Sequence, residues 1–185
     1  MGLATTHLRQ EHDTILRMLE ATEEVARRLR LEASVPADTL QGFLEFFQVF
    51  ADRCHHGKEE GLLFPRLEQK GLARSGGPIG VLREEHEQGR GLLSEMAASA
   101  ADYRQGREAA GPRWAEAALR YAVLLRQHIH KENTVLFWVA ENLLSQAEQE
   151  ELAAAFEQWE QEKIGAGTHE RLHAWMEKVT TELLP

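Results

Sequence analysis

"HHGKEEGLLF", residues 55–64, and "HIHKENTVLF", residues 128–137, are two versions of one pattern at an offset of 73 residues. A second pair, "LRQEHD" at 8–13 and "LREEHE" at 82–87, recurs at an offset of 74 in the same order. The chain therefore reads as a duplicated pair of helices, and the register chooses among adjacent duplicates. His12 aligns with His86, His55 with His128, Lys58 with Lys131 and Glu59 with Glu132, whereas His56 faces Ile129 and Glu60 faces Asn133. On an α-helix, positions four apart lie about 40° from each other and neighbours about 100°. His55 and Glu59 then share a face with Phe47, Ala51, Leu62 and Leu63, while His56 and Glu60 are expected off that face, behind the ligands or exposed. His12 sits between Leu8 and Ile15, His86 on the line of Leu82, Leu93 and Met96, and His128 with Tyr121, Leu124 and Leu125. Four histidines and two glutamates thus point at one core.

Working outward, Pro and Gly fall almost entirely between segments whose apolar residues recur every three or four positions. The spacing predicts helices over about 4–32, 36–70, 78–106 and 112–143, with Pro65 kinking or breaking the second near its end. Ser145 followed by Glu148 signals a capping box opening a fifth helix at about 146–163, and "GAGT" introduces a sixth at about 168–184. The fold class expected is all-α: an up-down-up-down four-helix bundle over 1–144 with additional C-terminal helices, 145–185, packed on the same domain. At 185 residues and 43% hydrophobic content, one domain with a proper core is the expectation. Thirty acidic against twenty-one basic residues argue against a nucleic-acid partner. The sequence shows neither a signal-peptide pattern nor a run of about 18 apolar residues, and its single cysteine, Cys54, allows no internal disulfide. A cytoplasmic location without membrane attachment is the resulting expectation.

Carboxylates in an apolar core are costly unless they are paired or ligate a cation. Imidazole and carboxylate from four facing helices, with no thiolate, suit iron or manganese better than a structural zinc site. Two symmetric half-sites suggest two ions with Glu59 and Glu132 central enough to bridge them, leaving coordination positions open to a small oxidant.

These residues carry a resemblance to the hemerythrin-like proteins, whose domain joins two repeats, each contributing His and then His-x-x-x-Glu to a non-haem di-iron centre. "EHD", "HHGKEEGLLFP", "EEHE" and "HIHKENTVLF" match that pattern across about residues 4–143. The resemblance implies a ligand set of His12, His55, Glu59, His86, His128 and Glu132, and two iron ions, with manganese or a mixed pair as alternatives, joined by a bridging oxo or hydroxo group. This chain departs from the oxygen carriers of the family. Their third helix supplies two histidines four apart, where this sequence has Arg90 and Leu82 flanking His86, and their second acidic ligand is an Asp five residues after its His. The set here is more similar to members involved in iron-centre repair, nitric oxide response or peroxide removal. The expected function is binding of, or reaction with, dioxygen, hydrogen peroxide or nitric oxide, with oxidase or peroxide-consuming chemistry as its enzymatic form. A sensor or carrier without turnover, or iron storage and donation, are the alternatives.

The tail "GAGTHERLHAWMEKV" places His169 and His173 on one face, and His169 is a further candidate ligand. Trp159 and Trp175 read as packing anchors, Cys54 as a buried inert thiol, and His7 and His130 as peripheral.

Overall fold

The computed structural model describes residues 2–107, 109–165 and 167–184. It holds six helices and, among the described residues, no strand: α1 (Leu3–Arg30), α2 (residues 37–69), α3 (Pro78–Arg104), α4 (residues 110–143), α5 (residues 146–164) and α6 (Thr168–Leu183). The expected all-α fold with extra C-terminal helices is what the chain adopts.

Three of these helices are not regular: α5 ends in a wide turn at Glu160–Ile164, and α2 and α4 widen in their interiors. α2 begins as an α-helix over Ala37–Phe46, widens into π-type turns at Phe47–His56 and Glu59–Leu63, and returns to α geometry at Phe64–Gln69. α4 widens at Glu132–Leu136, between Ala110–Lys131 and Phe137–Leu143. The second wide turn of α2 and that of α4 are repeat-related, each closed by a bond spanning five residues: Phe64 N–H donates to the Glu59 carbonyl and Phe137 N–H to that of Glu132. Such turns interrupt the one-bond-per-residue ladder and recur at functional sites. Pro65 falls at the return to α geometry and does not end α2, which continues to Gln69. A missing amide is tolerated there because the wide turn has already shifted the bonding register.

Short connections make consecutive helices antiparallel neighbours. α4 packs along both α1 and α3, α3 packs on α2, and α2 closes the ring on α1 through Phe47–His56. α5 lies on α1 and on the wide turns of α2, and α6 lies on α1. The predicted capping box is present: Ser145 Oγ accepts from Glu148 N–H while the Glu148 carboxylate accepts from Ser145 N–H. Both C-terminal tryptophans dock on glycines of α2. Trp175 covers Gly42 so closely that a Cβ there would lie 2.2 Å from its ring, and Trp159 spans Gly57 and Gly61.

The apolar core is in two pieces. One contains Ile15, Val25, Phe43, Phe47, Met96, Trp114 and Leu125; the other contains Leu8, Leu63, Phe64, Leu82, Leu136, Phe137 and Phe156. Each large side chain buried in them contributes roughly 1.5–3 kcal/mol. The boundary between the two falls where His12 lies between Leu8 and Ile15, and this layer is polar.

Candidate metal centre

His12, His55, Glu59, His86, His128 and Glu132 are all buried, and their ligand atoms come together in two overlapping groups. One joins His12 and His55 with both glutamates, the other His86 and His128 with the same two glutamates. Within the pairs, Nε2 of His12 lies 2.9 Å from Nε2 of His55, and Nε2 of His86 lies 3.1 Å from that of His128. Each glutamate turns one oxygen to each histidine pair. Glu132 sets Oε2 3.1 Å from His12 Nε2 and Oε1 3.0 Å from His128 Nε2; Glu59 sets Oε1 3.7 Å from His55 Nε2 and Oε2 3.6 Å from His86 Nε2. Ligand atoms at right angles about 2.1 Å from one ion are about 3.0 Å apart. The spacing is that of donors around shared points.

The imidazoles are aimed by what stands behind them. His55 Nδ1 donates to Glu11 at 2.8 Å, His128 Nδ1 to Glu85 at 3.0 Å, His86 Nδ1 to Glu60 at 2.6 Å and His12 Nδ1 to Asn133 Oδ1 at 3.0 Å. With the proton committed to Nδ1, each Nε2 turns a lone pair inward, the arrangement that fixes the tautomer of metal-binding histidines and raises their basicity. The four acceptors obey the repeat: Glu11 corresponds to Glu85, and Glu60 to Asn133. Two phenyl rings, also repeat-related, brace the histidines, Phe137 stacking on His12 at 5.3 Å and Phe64 on His86 at 5.9 Å.

Electrostatics point the same way. Burial pushes the imidazoles of His55 and His86 down to about 3, so both stay neutral and able to donate a lone pair. For His128 burial also works downward, but the Glu132 carboxylate outweighs it and carries the group up to about 9. Burial and the neighbouring Glu132 raise the Glu59 carboxyl well above the usual range, whereas the charge of His128 and the contacts with His12 and His128 overcome burial and hold Glu132 well below it. All four oxygens of these carboxylates are buried without an aligned hydrogen-bond donor. The 3.0–3.1 Å approaches to Glu132 are close in distance but misdirected, because the lone pairs face a common point. Two buried carboxylates facing four imidazole Nε2 atoms make a donor set suited to a buried metal cation, which would displace the extra proton that His128 carries in the metal-free protein.

Several contributors escaped the sequence reading. Glu60, expected off the shared face, holds His86, and Arg90 donates to it at 2.7 Å and to Asp52 at 3.1 Å. Lys58 was marked by its retention in the repeat. It is fully buried, paired with Glu11 and, at 2.7 Å, with Glu160 of α5. His56, expected behind the ligands or exposed, is buried and stacked on His86 with ring centroids 4.0 Å apart. The signal for Glu11 and Glu85 was in "QEHD" and "EEHE"; the signal for His56 was hidden, because angles were counted on a regular α-helix. Cys54 is buried, and burial pushes its thiol up to about 12, which leaves it inert. His173 packs edge-on against Phe50, and among the described residues it belongs to neither convergent group. The side chain of His169 lies outside the described residues.

Residues 3–140 match the hemerythrin HHE cation-binding domain family. An uncharacterized protein of Mycobacterium bovis and two of Mycobacterium tuberculosis are each 28% identical over 162 residues, covering 88% of this chain and 63% of the relative. The chain thus spans less than two thirds of the length of these relatives. No solved structure matches it. Among the described residues, no helix is long and apolar enough to cross a membrane. With three quarters of its length matched and the His and His-x-x-x-Glu pairs of both repeats brought to one buried layer, the chain belongs to the hemerythrin HHE cation-binding domain family.

Proposed function

We propose that the protein is a non-haem di-iron protein that binds or reacts with a small oxidant, dioxygen, hydrogen peroxide or nitric oxide, at a centre held by His12, His55, Glu59, His86, His128 and Glu132. The observation that carries this reading is the placement of Glu59 and Glu132, each offering one oxygen to each histidine pair. Paired iron bound there would supply reversible electron storage and Lewis acidity toward a small diatomic or peroxide ligand. The protein's own part is positioning and exclusion. Glu11, Glu85, Glu60 and Asn133 fix the imidazoles, Phe64 and Phe137 brace them, and the apolar layers above and below keep bulk water away.

Lys58 favours a second reading, in which ligand binding is sensed. Its ammonium links Glu11, which holds His55, to Glu160 on α5, so a change at His55 has a direct route to the C-terminal helices. The two readings separate on turnover. Purified protein is reduced anaerobically, analysed for iron, and followed by visible absorption on adding air, hydrogen peroxide or nitric oxide. Repeated consumption of oxidant supports an enzyme or scavenger; a stable adduct, reversible on removing the gas, supports sensing or carriage. Iron-free protein that takes up no iron refutes both.

A further inference from the structure

We propose that the last turn of α5, residues 159–164, is a hinged cover on α2, and that metal reaches and leaves the centre past Glu11 and His55 when this turn lifts. The inference rests on the two-metal reading above, and the cover lies beyond residues 3–140, the part of the chain that the family model matches.

α2 is bare beside two of its ligands. Gly57 and Gly61, one turn apart, stand on either side of Glu59 and just after His55, so the helix offers backbone there in place of side chains. The Trp159 ring fills both gaps: a Cβ would lie 2.9 Å from it at Gly57 and 2.8 Å at Gly61. Next to the ring, Glu160 reaches Lys58 at 2.7 Å, and Phe156 closes over the same ammonium at 5.7 Å. Lys58 also pairs with Glu11, which accepts from Nδ1 of His55. The side chain of Glu160 is 31% exposed, that of Glu11 12% and that of His55 1%, so these groups form a path from solvent to the centre. Oxygens of Glu11 and Glu160 come within 4.8 Å of each other, with the Lys58 ammonium between them. Two carboxylates thus line the way to His55, and the cation that holds them shut belongs to the protein.

The turn is held lightly between two firm anchors. No residue of Glu160–Ile164 is buried, and Trp159 is half-buried, its Nε1 donating to the Arg53 carbonyl at 3.3 Å. Before it, Leu152, Ala153 and Phe156 bury the body of α5. After it, α6 is fixed on its own account by Trp175 on Gly42 and by Arg171 on Glu45. Gly165 and Gly167, with φ of 86° and 83°, make the joint between the two helices. A segment with few buried contacts, set between well-packed ones, is where local opening costs least. Lifting it bares Lys58 and the glycine face of α2 without unpacking either core.

The test is the rate at which ferrous iron, and separately cobalt(II), passes anaerobically from loaded full-length protein to an excess of chromophoric chelator. Trp159→Ala is expected to release metal at least tenfold faster and to take it up correspondingly faster, so that the affinity is nearly unchanged. Trp175→Ala removes the matching anchor of α6, away from the ligands, and is expected to lower the melting temperature while releasing metal at the wild-type rate. Glu160→Gln replaces Trp159→Ala in the comparison if that variant does not fold. In metal-free wild type, amide exchange read by mass spectrometry should be faster over residues 157–165 than over 146–156. Wild-type release rates in Trp159→Ala or its replacement, equal acceleration in Trp175→Ala, or uniform amide exchange along α5 each overturn the cover and leave the two-metal reading standing. Fewer than two ions bound by the wild type overturn both.

Discussion

Glu11 and Glu85 occupy equivalent repeat positions, and the same substitution at each should have different consequences. Each carboxylate accepts from an imidazole, Glu11 from His55 and Glu85 from His128, and each pairs with a lysine, Lys58 or Lys131. The glutamates are equally shielded, at 12% side-chain exposure, but Lys58 is 1% exposed and Lys131 42%. Removing the charge behind a ligand histidine typically weakens metal binding about 10–100-fold. Glu11→Gln and Glu85→Gln should share that loss. Stability should differ. Glu85→Gln forfeits a half-exposed pair worth about 0–1 kcal/mol. Glu11→Gln leaves a buried ammonium with Glu160 alone, and stripping one partner from a buried charge costs about 3–5 kcal/mol, reduced here to about 2–4 by the partner that remains. Over 185 residues that is a fall in melting temperature of about 5–15 °C, against about 0–4 °C for Glu85→Gln. Thermal melts of both metal-free variants by circular dichroism provide the comparison. Equal losses of stability would refute the role assigned to Lys58 and its link to α5.

Replacing Glu59 with Leu should abolish binding of at least one ion and yet raise the stability of the metal-free protein, by about 1–4 kcal/mol, because it removes a fully buried carboxyl without a donor. Metal analysis and melting of the same sample check both halves, and a destabilised variant with full metal content would contradict the reading. Gly42→Ala should lift Trp175 off α2 and cost about 1–3 kcal/mol, read as a lower melting temperature together with a red-shifted tryptophan emission. The metal-free protein should lose stability in acid. His55 and His86 are lowered to about 3 in the fold against about 6.5 unfolded, so their contribution is complete above pH 6.5 and is lost as pH falls toward 3, while the raised Glu59 and His128 oppose that loss only in part. Urea melts at pH 7 and pH 5 measure the slope, and equal midpoints would count against neutral, buried imidazoles.

Helix positions, the bundle and the capping box at Ser145 were legible because apolar periodicity and Gly/Pro punctuation are local signals. The six convergent residues were legible because duplication provided an internal standard: only side chains retained at both offsets survived comparison. The inward turn of His56 was hidden by the assumption that the helices are regular. Wide turns at Phe47–His56, Glu59–Leu63 and Glu132–Leu136 carry no distinctive residue signature, yet they change the angle between successive side chains, and so His56 came inward. The role of Glu60 was hidden differently. Its counterpart Asn133 differs in type, and matching the repeats by identity misses a position where the structure needs only an oxygen acceptor for Nδ1.

A di-iron centre shared by the two histidine pairs is tested most sharply by a crystal structure of the iron-loaded protein, with data collected on both sides of the iron absorption edge. Two anomalous peaks are expected in the polar layer, one between His12 and His55 and one between His86 and His128, with Glu59 and Glu132 each touching both. A single peak, or iron held outside the six residues, would contradict that arrangement.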